Sequence, residues 1–168
     1  MPPGGRTPLA PTAFLRAKGP DFGRQGGGGV TLGKHLMMEL YDCDPGVIRD
    51  AAAVERVLVA SAKLCKATVV QSVFHLFNPF GVSGVVIIAE SHLAIHTWPE
   101  YAYVSIDIFT CGDALDPIVA AGYIVSQFKA GRYQIYKIRR GKFDARKRPL
   151  MTKPELSEEL VFGRPLLK

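Results

Sequence analysis

Cysteine is scarce in this chain, and Cys43, Cys65 and Cys111 are odd in number and widely spaced. That excludes a framework of paired disulfides and a C-x-x-C zinc knuckle, and it suits a reducing compartment. No stretch approaches the roughly 18 apolar residues of a membrane-spanning helix, and the N-terminus lacks the apolar core of a secretory signal. A soluble, cytoplasmic protein with no membrane partner is expected. Acidic residues are in deficit: 15 Asp and Glu face 21 Lys and Arg, for a net charge of +6. A polyanion therefore has to be weighed as a partner, although charge alone does not establish one. What is present is a globular composition, 168 residues with 48% hydrophobic side chains, enough for one domain with a real core.

Residues 1–30 hold eight Gly and five Pro with no hydrophobic periodicity. Such a segment buries too little surface to offset its ordering entropy and reads as a disordered arm. Regular patterning begins at Leu32, and residues 31–143 read as the folded domain. Residues 144–168 mix charge, proline and a short apolar patch and read as a basic, charged tail.

Leu36, Met38 and Leu40 alternate with His35, Met37 and Glu39, the period-two pattern of a strand with one face on a core. Asp44-Pro45 then supplies an N-cap and first-turn proline. Ile48, Ala51, Val54, Leu58 and Cys65 follow at helical steps, predicting one helix of about five to six turns. Strands are expected over 68–77, 84–89, 93–98 and 103–108, a second helix after Asp116-Pro117, and a closing strand over 133–138. This β-α-β-β-β-β-α-β order predicts an α+β two-layer sandwich, a mainly antiparallel sheet with two helices on one face. Apolar residues on both sides of several strands leave the second face in need of cover, and a second copy packing sheet to sheet would supply it.

Reactive side chains concentrate between Ser83 and Cys111. His92 and His96 suggest a metal pair, but on a strand four residues span about 13 Å, too far to share an ion. Gly81-Val82-Ser83-Gly84 suggests a hydrolase nucleophile, but it runs into a strand where an elbow into a helix is required. Taken singly, each Ser, His or Cys here is more often a satisfied structural residue than a reagent. Along a strand, His92, Ala94 and His96 share one face, while Ser91, next to a turn, is free to aim differently.

The run Glu90-Ser91-His92-Leu93-Ala94-Ile95-His96-Thr97-Trp98-Pro99-Glu100 resembles the prokaryotic S-adenosylmethionine decarboxylases. So do Gly81-Val82-Ser83-Gly84 before it and Asp107-Ile108-Phe109-Thr110-Cys111-Gly112 after it. The resemblance extends from Leu32-Gly33-Lys34-His35 to Gly141 and leaves out only the arm and the tail. It implies a proenzyme that cuts its backbone between Glu90 and Ser91. The Ser91 hydroxyl attacks the preceding carbonyl to form an ester, His96 removes the α-proton, and Ser83 assists processing. Ser91 becomes a covalent pyruvoyl group, so neither pyridoxal phosphate nor a metal is expected.

That ketone supplies the electron sink that no ordinary side chain provides, condensing with the substrate amine as a Schiff base. Cys111 is implied as the proton donor in catalysis, a task suited to a thiol that is mostly protonated at neutral pH. Glu100 is implied at the ribose hydroxyls, Phe77 against the adenine, and the Glu90 backbone at the base edge. The implied reaction converts S-adenosylmethionine to its decarboxylated form and CO2 for spermidine synthesis, in a homo-oligomer of cleaved chains with sites at the subunit interface.

Leu76 and Phe80 are apolar where many relatives carry polar or basic residues. L-arginine or L-ornithine is therefore an alternative substrate, since Glu100 could equally face a guanidinium. A third alternative is a non-processing relative that binds polyanions through the nine Lys and Arg between Lys129 and Arg148. The primary expectation is an enzyme with no nucleic-acid partner.

Overall fold

The computed structural model describes residues 30–111 and 115–151, and the backbone of 156–160. Seven strands form one sheet in the order β2-β3-β4-β5-β1-β6-β7. Their ranges are β1 Val30–Tyr41, β2 Val69–Leu76, β3 Val82–Ile88, β4 Ser91–Trp98, β5 Tyr103–Cys111, β6 Arg132–Phe143 and β7 Leu156–Leu160. All neighbouring pairs are antiparallel. β2 to β5 form a meander, as their short connections predict. β1 lies between β5 and β6, with Leu36 opposite both Ile108 and Lys137.

The helices lie on one face. Leu36, Met38 and Leu40 of β1 are fully buried beneath them, as are Leu93 and Ile95 of β4 and Ile106 and Ile108 of β5. Each buried aliphatic side chain of this size stabilises the fold by about 1.5–3 kcal/mol relative to exposure. The expected single helix is two. α1 (Pro45–Ile48) is one turn, and α2 (Ala51–Leu64) restarts at Asp50, whose carboxylate accepts from the amides of Ala52 and Ala53 at 2.9 and 3.2 Å. A second capping aspartate six residues after Asp44 satisfies orphan amides locally, which an uninterrupted helix would leave no need for. α3 (Pro117–Gln127) packs beside α2 and buries Ala120, Ala121, Ile124 and Val125.

The tail contains more order than its composition suggests. Phe143 pairs with Pro149, and β7 adds a strand to the β6 edge. The arm lies outside the described residues except for Val30, which begins β1. The second sheet face has no covering element among the described residues. It leaves Val73 of β2 53% exposed, Ile87 of β3 39% and Trp98 of β4 38%.

Candidate functional site

The hairpin from β3 to β4 turns on only two residues, Ala89 and Glu90, between the paired Ile88 and Ser91. Two-residue hairpins ordinarily take positive φ at their central positions, usually with Gly, Asn or Asp. Here the positive φ falls on Ser91, at 143°. That region is essentially reserved for glycine and costs of order 1–3 kcal/mol for another residue.

The strain re-aims the side chain. Strand alternation would set Ser91 with the buried Leu93 and Ile95, yet its Oγ lies 3.2 Å from His92 Nδ1. The His92 ring stands edge-on to Phe109 on the uncovered face, with ring centroids 6.0 Å apart. Ser91 thus does aim differently from its strand. Gly33, beside Phe109 in the β1–β5 ladder, leaves room for that ring, because a Cβ there would meet it at 2.4 Å.

The peptide carbonyl joining Glu90 to Ser91 is also held. Glu90 O accepts from the Cys111 amide at 2.8 Å, and the Glu90 carboxylate accepts from the Thr68 amide at 3.1 Å. Cys111 is the exposed thiol, whereas Cys43 and Cys65 are buried. Burial pushes the Cys43 thiol from its usual value near 9 up to about 12, and it raises Cys65 as well. The two buried thiols are thereby held protonated and out of reach of a ligand.

A second cluster occupies the opposite end of the same strands. Ser83 of β3 and His96 of β4 are directly paired, and Ser83 Oγ lies 2.7 Å from His96 Nδ1. Next to them Thr97 donates from Oγ1 to the Ile48 carbonyl at 2.8 Å and accepts from the Val82 amide at 2.9 Å, tying the strand ends to α1. Glu100 sits exposed on the 3-10 turn Pro99–Tyr101. Phe77 follows β2 at the same end, 48% exposed, with its ring 4.6 Å from that of His75.

Aromatics flank this end, Trp98 lying 5.3 Å from Tyr103, whose hydroxyl donates to Glu39. Desolvation, with the Glu39 hydrogen bond second, lifts the Tyr103 phenol to about 12.

One chain therefore brings the predicted residues together in two groups. Glu90, Ser91 and Cys111 stand at one end, and Ser83, His96, Glu100 and Phe77 at the other. Ser91 and His96 are five residue steps apart along β4, about 16 Å at the usual rise. Sequence reasoning weighed His92 as half of a metal pair and set it on one strand face with Ala94 and His96, but missed its place beside the Ser91 hydroxyl. Adjacency to Ser91 was the available signal. Among the described residues, no three His, Cys, Asp or Glu side chains converge as a metal site.

A family model described as S-adenosylmethionine decarboxylase matches residues 34–141. An S-adenosylmethionine decarboxylase proenzyme of Thermodesulfovibrio yellowstonii is 49% identical over 110 residues, covering 66% of this chain and 82% of the relative. One of Fervidobacterium nodosum is 48% identical over 114 residues, covering 68% and 83%. The crystal structure of adenosylmethionine decarboxylase from Aquifex aeolicus superimposes with a TM-score of 0.63 at 35% identity, covering 66% of this chain and 92% of that one.

Proposed function

The chain belongs to the S-adenosylmethionine decarboxylase family, and we propose that it is a proenzyme that cuts itself between Glu90 and Ser91 and then decarboxylates S-adenosylmethionine for polyamine synthesis. The observation that carries this reading is the backbone at Ser91, a serine held at φ 143° directly after a carbonyl that the Cys111 amide grips at 2.8 Å. Strain in the ground state and a fixed electrophile both favour attack by a neighbouring hydroxyl.

His92 Nδ1, as acceptor, orients the Ser91 hydroxyl and draws on its proton as Oγ bonds to the Glu90 carbonyl carbon. The C–N bond breaks, and the hydroxyl proton ends on the freed Ser91 nitrogen. The backbone is then an ester and nothing has left. His96 removes the Ser91 α-proton, and elimination releases the Glu90 carboxylate. Hydrolysis then expels ammonia and leaves a ketone capping the fragment that begins at residue 91. The residues present fit that group: a strained serine beside a turn, a held carbonyl, and the exposed Cys111 thiol.

Once formed, the pyruvoyl group supplies the electron sink for loss of CO2. Cys111 holds the proton that returns to the substrate carbon. Glu100 accepts from the ribose hydroxyls, Phe77 stacks on the adenine, and the Glu90 backbone meets the base edge. Ser83, 2.7 Å from His96, orients the imidazole for proton removal.

Because His96 and Ser83 stand about 16 Å along β4 from the Ser91 of their own chain, the site is complete only in a dimer. Two copies stacked by their uncovered faces, strands reversed, would bring the Ser91 end of each against the His96 end of the other. The exposed Val73, Ile87 and Trp98 supply apolar area for that contact. A C2 pair of this kind contains two equivalent sites.

A denaturing gel or intact mass tests cleavage. The 168-residue chain should yield pieces of 90 and 78 residues (168 − 90 = 78), the second blocked at its N-terminus, while Ser91→Ala stays whole. Offering S-adenosylmethionine, arginine and ornithine side by side and measuring CO2 tests the substrate. An uncut wild-type chain, or CO2 from an amino acid alone, overturns the reading.

A further inference from the structure

Thr110 stands out on the helix-covered face. Its side chain is fully buried, and Oγ1 is the one buried side-chain oxygen or nitrogen without a hydrogen-bond partner among the described residues. Leaving a buried hydroxyl unpaired costs stability, so it is a feature that needs a reason.

Its position supplies one. Thr110 is directly opposite Ser91 in the β4–β5 ladder. The bond from the Cys111 amide to Glu90 O lies one step further along. Ser91 and Thr110 are therefore a pair that exchanges no backbone hydrogen bond, the arrangement in which facing side chains approach most closely. The unpartnered hydroxyl also belongs to the residue whose next amide already grips the scissile carbonyl.

Stereochemistry sets the direction. Ser91 Oγ is drawn to the uncovered face by His92 Nδ1. Attack from that side pyramidalises the Glu90 carbon and moves its oxygen toward the opposite face. That is the face into which Thr110 is buried. A donor placed for the displaced oxyanion and poorly placed for the planar carbonyl stabilises the transition state more than the ground state.

We propose that Thr110 Oγ1–H is the second donor, with the Cys111 amide, to the oxyanion formed when Ser91 attacks Glu90. This rests on the self-cleavage reading. No co-reactant is needed: Oγ bonds to the carbonyl carbon, the carbonyl electron pair moves to oxygen, and the two donors hold that charge. When the C–N bond breaks, the pair returns to the carbonyl and the hydroxyl proton passes to nitrogen.

The test compares Thr110→Val with Thr110→Ser in the full chain, following cleavage of newly synthesised precursor on a gel. Val keeps the shape and removes the donor; Ser keeps the donor. Cleavage should slow about 100-fold or more in T110V, the order seen when one oxyanion donor is lost, and by only a few-fold in T110S. In the His96→Ala background, where processing should stop at the ester, hydroxylamine should release far less fragment from T110V than from its parent.

A structural role would be read in the melting temperature of T110V in the uncut Ser91→Ala background. The proposal expects no loss there, because an unpaired buried hydroxyl has been removed. Wild-type cleavage rates in T110V, or equal slowing in T110V and T110S, overturn the proposal while the cutting wild-type chain leaves the self-cleavage reading standing. An uncut wild-type chain instead removes that reading and this proposal with it.

Discussion

The Cys111 amide donates to the carbonyl oxygen of Glu90 at 2.8 Å, joining residues 21 positions apart at the bond where the chain is proposed to cut itself. The contact continues the β4–β5 ladder one step past Ser91 and Thr110. In the proposed cleavage this ladder bond fixes the electrophile, and it couples the proposed proton donor to the proposed cleavage point.

Strain at Ser91 is measurable in stability. Glycine takes a φ of 143° without penalty, whereas alanine keeps the penalty. Neither variant can cleave, so both report on the uncut chain. Ser91→Gly should exceed Ser91→Ala by about 1 kcal/mol, after allowing for the greater entropy of glycine in the unfolded state. Denaturant midpoints compare the two, and equal midpoints would show that the turn stores no strain.

The proposed sharing of each site between two copies predicts cleavage in trans. A Ser91→Ala chain cannot be cut but retains Ser83 and His96; a His96→Ala chain retains Ser91 but lacks the base. Expressed alone, neither should yield processed fragments. Co-expressed with distinguishable tags, the His96→Ala chain should be cut, and only in mixed dimers. Failure of the mixture to process any His96→Ala chain would argue that each site is built within one copy.

Gly84 lies opposite Phe74 in the β2–β3 ladder, and a Cβ there would come within 2.1 Å of the ring. Phe74 is packed against the core, so the ring cannot simply swing into solvent. Gly84→Ala should therefore cost about 1–3 kcal/mol by overpacking. Gly84→Ala combined with Phe74→Leu should recover part of that loss, measured as non-additivity in a double-mutant cycle.

Alkaline pH should loosen the fold through Cys43. Its folded value of about 12 exceeds the usual value near 9 because burial disfavours the thiolate, with the nearby Asp42 charge second. The folded state thus holds the proton more tightly than the unfolded state. The stabilisation is full below pH 9 and is lost as pH rises toward 12. Cys43→Ala should flatten the stability curve across that window, as followed by denaturant unfolding at stepped pH. An unchanged slope would place the alkaline sensitivity in other groups, Tyr103 foremost.

Much of the fold is local pattern and was legible. The alternation at Leu36, Met38 and Leu40, the Asp44-Pro45 and Asp116-Pro117 caps, and the meander strands all lie within a few residues of their observed bounds. The break at Asp50 was missed because Ile48 and Ala51 keep helical spacing across it, so periodicity does not register an interruption that a capping side chain makes. β7 was missed because its pairing with β6 is a tertiary event following a charged, proline-containing connection.

Residue identities carried the chemistry. A serine after glutamate, a following histidine, a later cysteine and the surrounding run suffice for the family resemblance. Spacing along the chain does not say which of them meet. Antiparallel pairing sets Ser83 against His96 and Glu90 against Cys111, and then holds the two groups about 16 Å apart on a stiff strand. The strained φ of Ser91, the turn of its hydroxyl toward His92 and the unpaired hydroxyl of Thr110 arise only when β3, β4 and β5 close on one another. The strand pairings that impose them are non-local, and no local propensity encodes those pairings.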